Sequence, residues 1–388
     1  MGKTLPSDCP FRDDFHRLLH DYSLDKSNPV AHNSTHEDRR YFFLGFAADR
    51  DALNCLRMSR FMDASNFRIG TRRSASFFSI SDGVCTMTLP DVTELFSTDD
   101  KCRDLLERLR WPEGPECPRC KTREVVRLAT ATKLLYCKDC DYQFTVTAGT
   151  VFHDSHLELT KWFTVTLLLC EARKGMSANQ IRRTIWGQHK GSYKTAWYLC
   201  HRIRHAMKQV DQPMLDGTVE MDETYVGGKQ TGKGVRYGKN QKEVVIGIRQ
   251  RGGDLRFFHA ADAKSGTLAK YIKENVSADV EVMVTDELTG YPSAMIEAGI
   301  HGRKHKTVNH KAKEYVRGDV YTNTVESAFS LLKRGIVGSW HKISAKHLQA
   351  YLDEMTFRFD RRKSSTLFLD TLRHMVTAPV LTFEKLTA

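Results

Sequence analysis

Apolar residues change their period along this chain, and the changes divide it. Between Glu124 and Thr147 they come in short runs, EVVRL, KLLYC and DYQFTVT, rich in β-branched and aromatic residues, which predicts three short strands. From His156 to about Val210 the period is helical. LELTKWFTVTLLLCEARKG closes at Gly175, a residue suited to the position after a helix end, and SANQIRRTIW starts behind Ser177 as a plausible N-cap. SYKTAWYLCHRIRHAMKQV then sets Trp197, Cys200, Ile203 and Met207 on one face. The short turn between the last two predicts a helix-turn-helix. After Pro213 strands return. GTVEMDETYVGG alternates, and EVVIGIRQRGGDLRFFHA reads as a hairpin turning at Gly252-Gly253. A helix, SGTLAKYIKENV, leads to the buried-looking run VEVMVTDE, and a last amphipathic helix, NTVESAFSLLKRGI, begins near Asn323.

Composition narrows the class. The chain has 388 residues, 40% of them hydrophobic and 27% charged, with a mean hydropathy of −0.46, which fits a globular protein of two or three domains. Its longest apolar run, Trp162 to Cys170, falls far short of the roughly 20 residues that span a bilayer, so no membrane association is expected. The first residues lack the apolar stretch of a secretory leader, and the chain reads as cytoplasmic. Charge is uneven. Of the net +12, the first 100 residues contribute −3 and the remainder +15. A field of that sign favours nucleic acid, through phosphate contact and counterion release.

Six of the ten cysteines share no spacing and read as buried reduced thiols. The other four, Cys117, Cys120, Cys137 and Cys140, form C-x2-C-x16-C-x2-C, the pattern of two knuckles that complete a tetrahedron around one structural Zn²⁺. Three short strands and no intervening helix make this a zinc ribbon. Two such pairs without a βαβ pattern argue against a redox site.

The strand-rich half carries acidic residues at wide intervals. Asp222 lies within a strand, Asp286 ends one, and Glu326 sits on the last helix with Asn323 one turn before it and Lys333 two turns after it, on one polar stripe. Strand carboxylate, hairpin, helix, strand carboxylate, helix carboxylate is an order that fits an RNase H-like sheet. Like charges brought together repel, and divalent cations remove that penalty. Carboxylate oxygens suit Mg²⁺, and a pair of such ions can serve phosphodiester chemistry. A nucleotide-binding P-loop is nearly spelled by Gly227, Gly232 and Lys233, but Gly234 follows where Ser or Thr is needed.

The segments CPRC, YCKDCDYQF, KTAW, VEMDETYVGGK, VTDE, HKTVNH, EYVRGDVYTNTVESAFSLLKRGIVGSWHKIS and KHLQAYLDEMTFRFDRR resemble the ISXO-type family of bacterial insertion-sequence DDE transposases, from about Asp91 to Arg362. The resemblance implies an α/β fold: an RNase H-like mixed sheet flanked by helices, preceded by a small zinc ribbon and a helical, helix-turn-helix-like domain. On that reading residues 1–90 are an extension without assigned role, 91–152 the ribbon, 153–212 the helical DNA-binding region, 213–362 the catalytic domain and 363–388 a C-terminal tail.

The family's activity is transposition: phosphodiester cleavage at the element ends and in-line transfer of the freed 3′-OH to a target. By motif, Asp222 and Asp286 are the first two ligands of two catalytic Mg²⁺ or Mn²⁺ ions. The third lies in NTVES, as Asn323 or Glu326; Glu326 is preferred, because an ionised carboxylate holds Mg²⁺ better than an amide and its offset to Lys333 matches a trailing phosphate-binding lysine. Double-stranded DNA, both element ends and target, is the expected partner, gripped by Lys194, Arg202, Arg204, Lys229, Lys233, Arg236, Lys239 and Arg334. Synapsis of two ends implies a homo-oligomer, associated with the nucleoid when bound. The rival reading is a non-catalytic zinc-ribbon regulator or an inactivated transposase, which would have no use for the three acidic positions.

Overall fold

The computed structural model describes residues 86–227, 242–308 and 317–388, all within one contact unit, Phe77–Ala388. Two helices, α1 (Leu89–Leu95) and α2 (Asp99–Arg110), lead into a three-stranded antiparallel sheet of β1 (Val125–Arg127), β2 (Leu135–Cys137) and β3 (Gln143–Phe144). These are the three short strands expected. Their core is small: Cys117, Leu135, Cys137, Phe144 and Ala148 are its buried members, with Trp111 and Tyr142 against them.

Helices α3 (Leu159–Glu171), α4 (Ala178–Trp186) and α5 (Tyr193–Ala206) follow. Ser177 caps α4 by accepting from the Gln180 N–H, as its position before the apolar stripe predicts. Cys200, Ile203 and Met207 are buried on the face expected of them. That core also takes Phe368, Leu372 and Met375 from α10 (Leu367–Thr377), so the last stretch of chain folds back onto the helical region. A short helix, α11 (Phe383–Thr387), comes last.

Between them lies the mixed sheet, with strand order β6-β5-β4-β7-β8. β4 (Thr218–Val226), β5 (Glu243–Gln250) and β6 (Leu255–Ala260) form an antiparallel meander, while β4–β7 and β7–β8 pair in parallel, β7 being Val282–Asp286 and β8 His305–Val308. Parallel neighbours need crossovers, and α6 (Ser265–Asn275) and α7 (Gly290–Glu297) supply them. These two helices cover one face through Leu268, Ile272, Tyr291 and Met295. The other face is covered by α8 (Asn323–Gly335) and α9 (Ala345–Asp360), through Phe329, Leu332, Leu352 and Met355. This is the RNase H-like mixed sheet flanked by helices, preceded by the ribbon and the helical region. Among the described residues no helix is long and apolar enough to cross a membrane.

Candidate functional site

In the ribbon, the four cysteine sulfurs lie within 4.8 Å of one another. Cys117 Sγ is 3.6 Å from Cys140 Sγ, and Cys120 Sγ is 3.5 Å from Cys137 Sγ. A tetrahedron with metal–sulfur bonds of about 2.3 Å has edges of about 3.8 Å, so the spacing fits a Zn²⁺ ion. Proton affinities are split across the cluster. Burial and the neighbouring sulfurs push the Cys140 thiol up to about 12. Cys117, against its desolvation, is brought down to about 7 by the N–H groups of Cys120 and Arg119.

The second cluster is built by strand register. Glu220 pairs with Val284 in the parallel β4–β7 ladder, and two residues further along both strands Asp222 stands level with Asp286, the last residue of β7. Both are thus at the end of the sheet where the parallel strands stop, the position in which open α/β sheets place their sites. Leu288 N–H donates to Asp286 Oδ1 at 3.0 Å, and Glu223 N–H donates to Asp222 Oδ1 at 2.8 Å. Carboxylate oxygens of Asp222, Glu223 and Asp286 all lie within 4.8 Å of one another. Glu223 is held from the far side by the buried Tyr291, whose hydroxyl donates to Glu223 Oε2 at 2.8 Å.

The helix brings the rest. An open cleft of about 650 Å³ is lined by Asp222, Glu223, Glu326, Lys333 and Arg334, among others. Its closeness depends on Gly247, the residue paired with Asp222 on β5: a Cβ there would lie 2.7 Å from the Phe329 ring and 2.9 Å from Phe257. The missing side chain lets α8 rest directly on the sheet beside Asp222. Gly247→Ala is accordingly expected to destabilise the protein by about 1–3 kcal/mol through overpacking, measured by denaturant unfolding.

The electrostatics follow from the crowding. Burial first, then the charges of Glu223, Asp286 and Glu326, push Asp222 up to about 8, against the partial help of its backbone hydrogen bond. Glu223 is also raised, by burial and by Asp286, with the Tyr291 bond pulling the other way. An oxygen-only donor set in which Asp222 and Glu223 resist ionisation is one that a hard divalent cation would relieve.

Asp222, Glu326, Lys333 and Arg334 thus meet in one cleft, with Asp286 against Asp222. Asn323, the first residue of α8, is exposed and does not line it. Glu223, Tyr291 and Gly247 were not singled out by sequence. Only Glu223, adjacent to Asp222 in MDET, left a trace there.

Two expected DNA contacts need correction. Arg202 and Arg204 are buried rather than facing a nucleic acid. Arg204 pairs with the buried Glu354 of α9 at 2.6 Å, and Arg202 lies over the Trp162 and Tyr198 rings and donates to the His153 carbonyl. The polar flank of α5 is covered by other helices, so its arginines are internal ties. Lys194 is exposed, with its ammonium 4.1 Å from the centre of the Phe383 ring. Lys229, Lys233, Arg236 and Lys239 lie outside the described residues.

Comparison with known proteins agrees with this geometry. Residues 214–360 match the family model of the ISXO2-like transposase domain, and residues 97–143 match that of the transposase zinc-ribbon domain. A protein of Halobacterium salinarum, described as an uncharacterized protein in transposable element ISH50, is 29% identical over 282 residues, covering 68% of this chain and 91% of the relative. Both domains are matched in the order ribbon, then carboxylate-bearing sheet, so the chain carries a transposase zinc-ribbon domain followed by an ISXO2-like transposase domain.

Proposed function

We propose that this protein is a divalent-metal-dependent DDE transposase that cleaves phosphodiesters at the ends of an insertion sequence and joins the freed 3′ ends to target DNA. The observation that carries the reading is the convergence of Asp222 and Asp286 at the end of the parallel strands, with Glu326 and Lys333 in the same cleft.

Asp222, Asp286 and Glu326 would hold Mg²⁺ or Mn²⁺, and Glu223 is placed to join them. When bound, the metal supplies Lewis-acid stabilisation of the charge that develops on phosphate oxygens. The chain's own groups do the rest. Asp286 keeps one oxygen on the Leu288 N–H, which fixes the other's direction. Tyr291 orients Glu223 from the buried side. Lys333 and Arg334, exposed along the rim, take the DNA backbone, whose charge they match. The ribbon, with Cys117, Cys120, Cys137 and Cys140 holding one Zn²⁺, serves recognition of the element ends together with Lys194 and the helical region. Lys229, Lys233, Arg236 and Lys239 would add to the grip on double-stranded DNA. The working form is a homo-oligomer that pairs two ends, in the cytoplasm and on the nucleoid.

Labelled duplexes carrying the DNA that flanks the gene test this directly, with Mg²⁺ or Mn²⁺ and gel analysis of cleaved and joined strands. Glu326→Gln is expected to slow cleavage at least about 100-fold, since even the outer partners of a metal site are worth 10–100-fold. Asn323→Ala is expected to change it by no more than about twofold, as for an ordinary surface position. Cleavage by neither the wild type nor any variant, with binding intact, would leave the regulator reading in its place.

A further inference from the structure

Three acidic residues in VEMDE stand within four positions of one another, and the structure separates their duties. Glu220 shares a sheet face with Asp222, two residues away, yet it is fully buried and its oxygens are already taken. Oε1 accepts from Arg251 Nε at 2.6 Å. Oε2 accepts from the Thr324 N–H at 2.9 Å, the Thr324 hydroxyl at 2.6 Å and the Val325 N–H at 3.1 Å. Four donors on one carboxylate leave it no role as a metal ligand.

What those donors belong to gives the residue its purpose. Thr324 and Val325 are the second and third residues of α8, whose first N–H groups have no partner within the helix. At the N-cap position Thr322 directs its hydroxyl to Glu326 Oε1 at 3.4 Å and does not cap the helix with its side chain. Capping comes instead from a strand about a hundred residues earlier in the chain. A negative charge at a helix N-terminus is favourable in itself, and here it also fixes where the helix begins on the sheet.

Two arginines complete the fixture. Arg251 donates to the Asp319 and Tyr321 carbonyls, each at 2.7 Å, and lies 3.6 Å over the Tyr321 ring. Arg249, paired directly with Glu220 across β4–β5, donates to the Thr324 carbonyl at 2.7 Å. The chain entering α8 is thereby tied to β4, to β5 and to the residue that follows β5, from Asp319 to Val325, and Glu326 is the next residue.

We propose that Glu220 is a positioning residue: with Arg251 it docks the first turn of α8 on β4 and so sets Glu326 against Asp222. The importance of that placement rests on Glu326 being a metal-holding carboxylate, as argued above. Glu220 acts through α8 and touches neither metal nor DNA.

The test uses the full chain, with hydrogen exchange for docking and Mn²⁺ titration followed by electron paramagnetic resonance for the site. Glu220→Gln keeps the shape and one acceptor but loses the charge, and Thr324→Val removes a donor from the helix side, so at least one variant with a native fold is at hand. In these variants the Thr324–Glu326 amides are expected to exchange at least about tenfold faster, and Mn²⁺ affinity to fall about tenfold. In a Glu326→Gln background, Glu220→Gln should add no further loss of Mn²⁺ affinity, because residues acting through one another are not additive. Unchanged exchange in both variants overturns the proposal, and so does the same loss of Mn²⁺ affinity with and without Glu326. Faster exchange in a protein whose Mn²⁺ affinity Glu326→Gln does not alter would uphold the docking and overturn the metal assignment of Glu326.

Discussion

Asp286→Asn is expected to reduce strand cleavage and joining by at least about 1,000-fold while leaving DNA binding in place. Lewis-acid stabilisation by a bound divalent ion supplies several kcal/mol, and about 4 kcal/mol corresponds to that factor. The contrast with binding is what makes the result specific. Phosphate contacts come from lysines and arginines that this substitution leaves alone, so a gel-shift assay in the absence of divalent metal should give the wild-type affinity. Unchanged cleavage would remove Asp286 from the site.

The same substitution has a second signature, in stability. Metal-free, the cluster is under strain from burial and like charge, which holds Asp222 up at about 8. A carboxyl group whose folded pKa is raised above its unfolded value contributes stability that is fully present below the unfolded pKa. That contribution is lost as the pH rises through the folded one. For Asp222 the window runs from about 4 to about 8. Removing the Asp286 charge relieves one of the causes, so metal-free Asp286→Asn should melt higher than the wild type near pH 8, by about 1–2 °C for each kcal/mol relieved in a chain of this size. Mn²⁺ should then stabilise the wild type, by about 2.7 kcal/mol at a hundred times its dissociation constant, and leave the variant unmoved. A variant that melts lower without metal would show that the acidic cluster is a structural network.

Much of this site could be read before any coordinates. Asp222 and Asp286 were legible because strand alternation and the position of VTDE at a strand end fix where each side chain goes. Glu326 and Lys333 were legible because helical spacing puts them on one stripe. Glu223 was not, since alternation assigns it to the face opposite Asp222; only the end of β7 at Asp286 lets their carboxylates come together. Gly247 owes its meaning to Phe329, and Arg204 to Glu354, partners that are far away in sequence. Periodicity marks a helix face as polar but says nothing of whether another helix covers it, so the burial of Arg202 and Arg204 on α5 is invisible to it. Local pattern carries local geometry, and close packing between distant segments escapes it.

Doubly replacing Cys137→Ser and Cys140→Ser should take the protein from one zinc per chain to none, and the consequence should be confined to the ribbon. The argument is one of core size. The ribbon's buried members are few, two of them metal-site cysteines themselves, and strands of two or three residues cannot hold together by hydrogen bonding alone. Structural zinc sites bind with about 10–16 kcal/mol, and in such small units that energy is the folding energy. The helical region and the mixed sheet have separate buried clusters and should keep their structure. Trp111 reports the difference, because it sits at the end of α2 with its ring 6.0 Å from Phe144, packed against both the ribbon core and the helical core, and loss of the ribbon would uncover one side of it. Its fluorescence should shift toward that of an exposed indole. Protease sites should open between about residues 112 and 150, and a chelator should reproduce both effects in the wild type. Cleavage that spreads into α3 or the sheet would show instead that the ribbon is integral to the fold. Where it stays local, loss of specific end binding with the acidic cluster intact would place recognition in the ribbon and chemistry in the sheet.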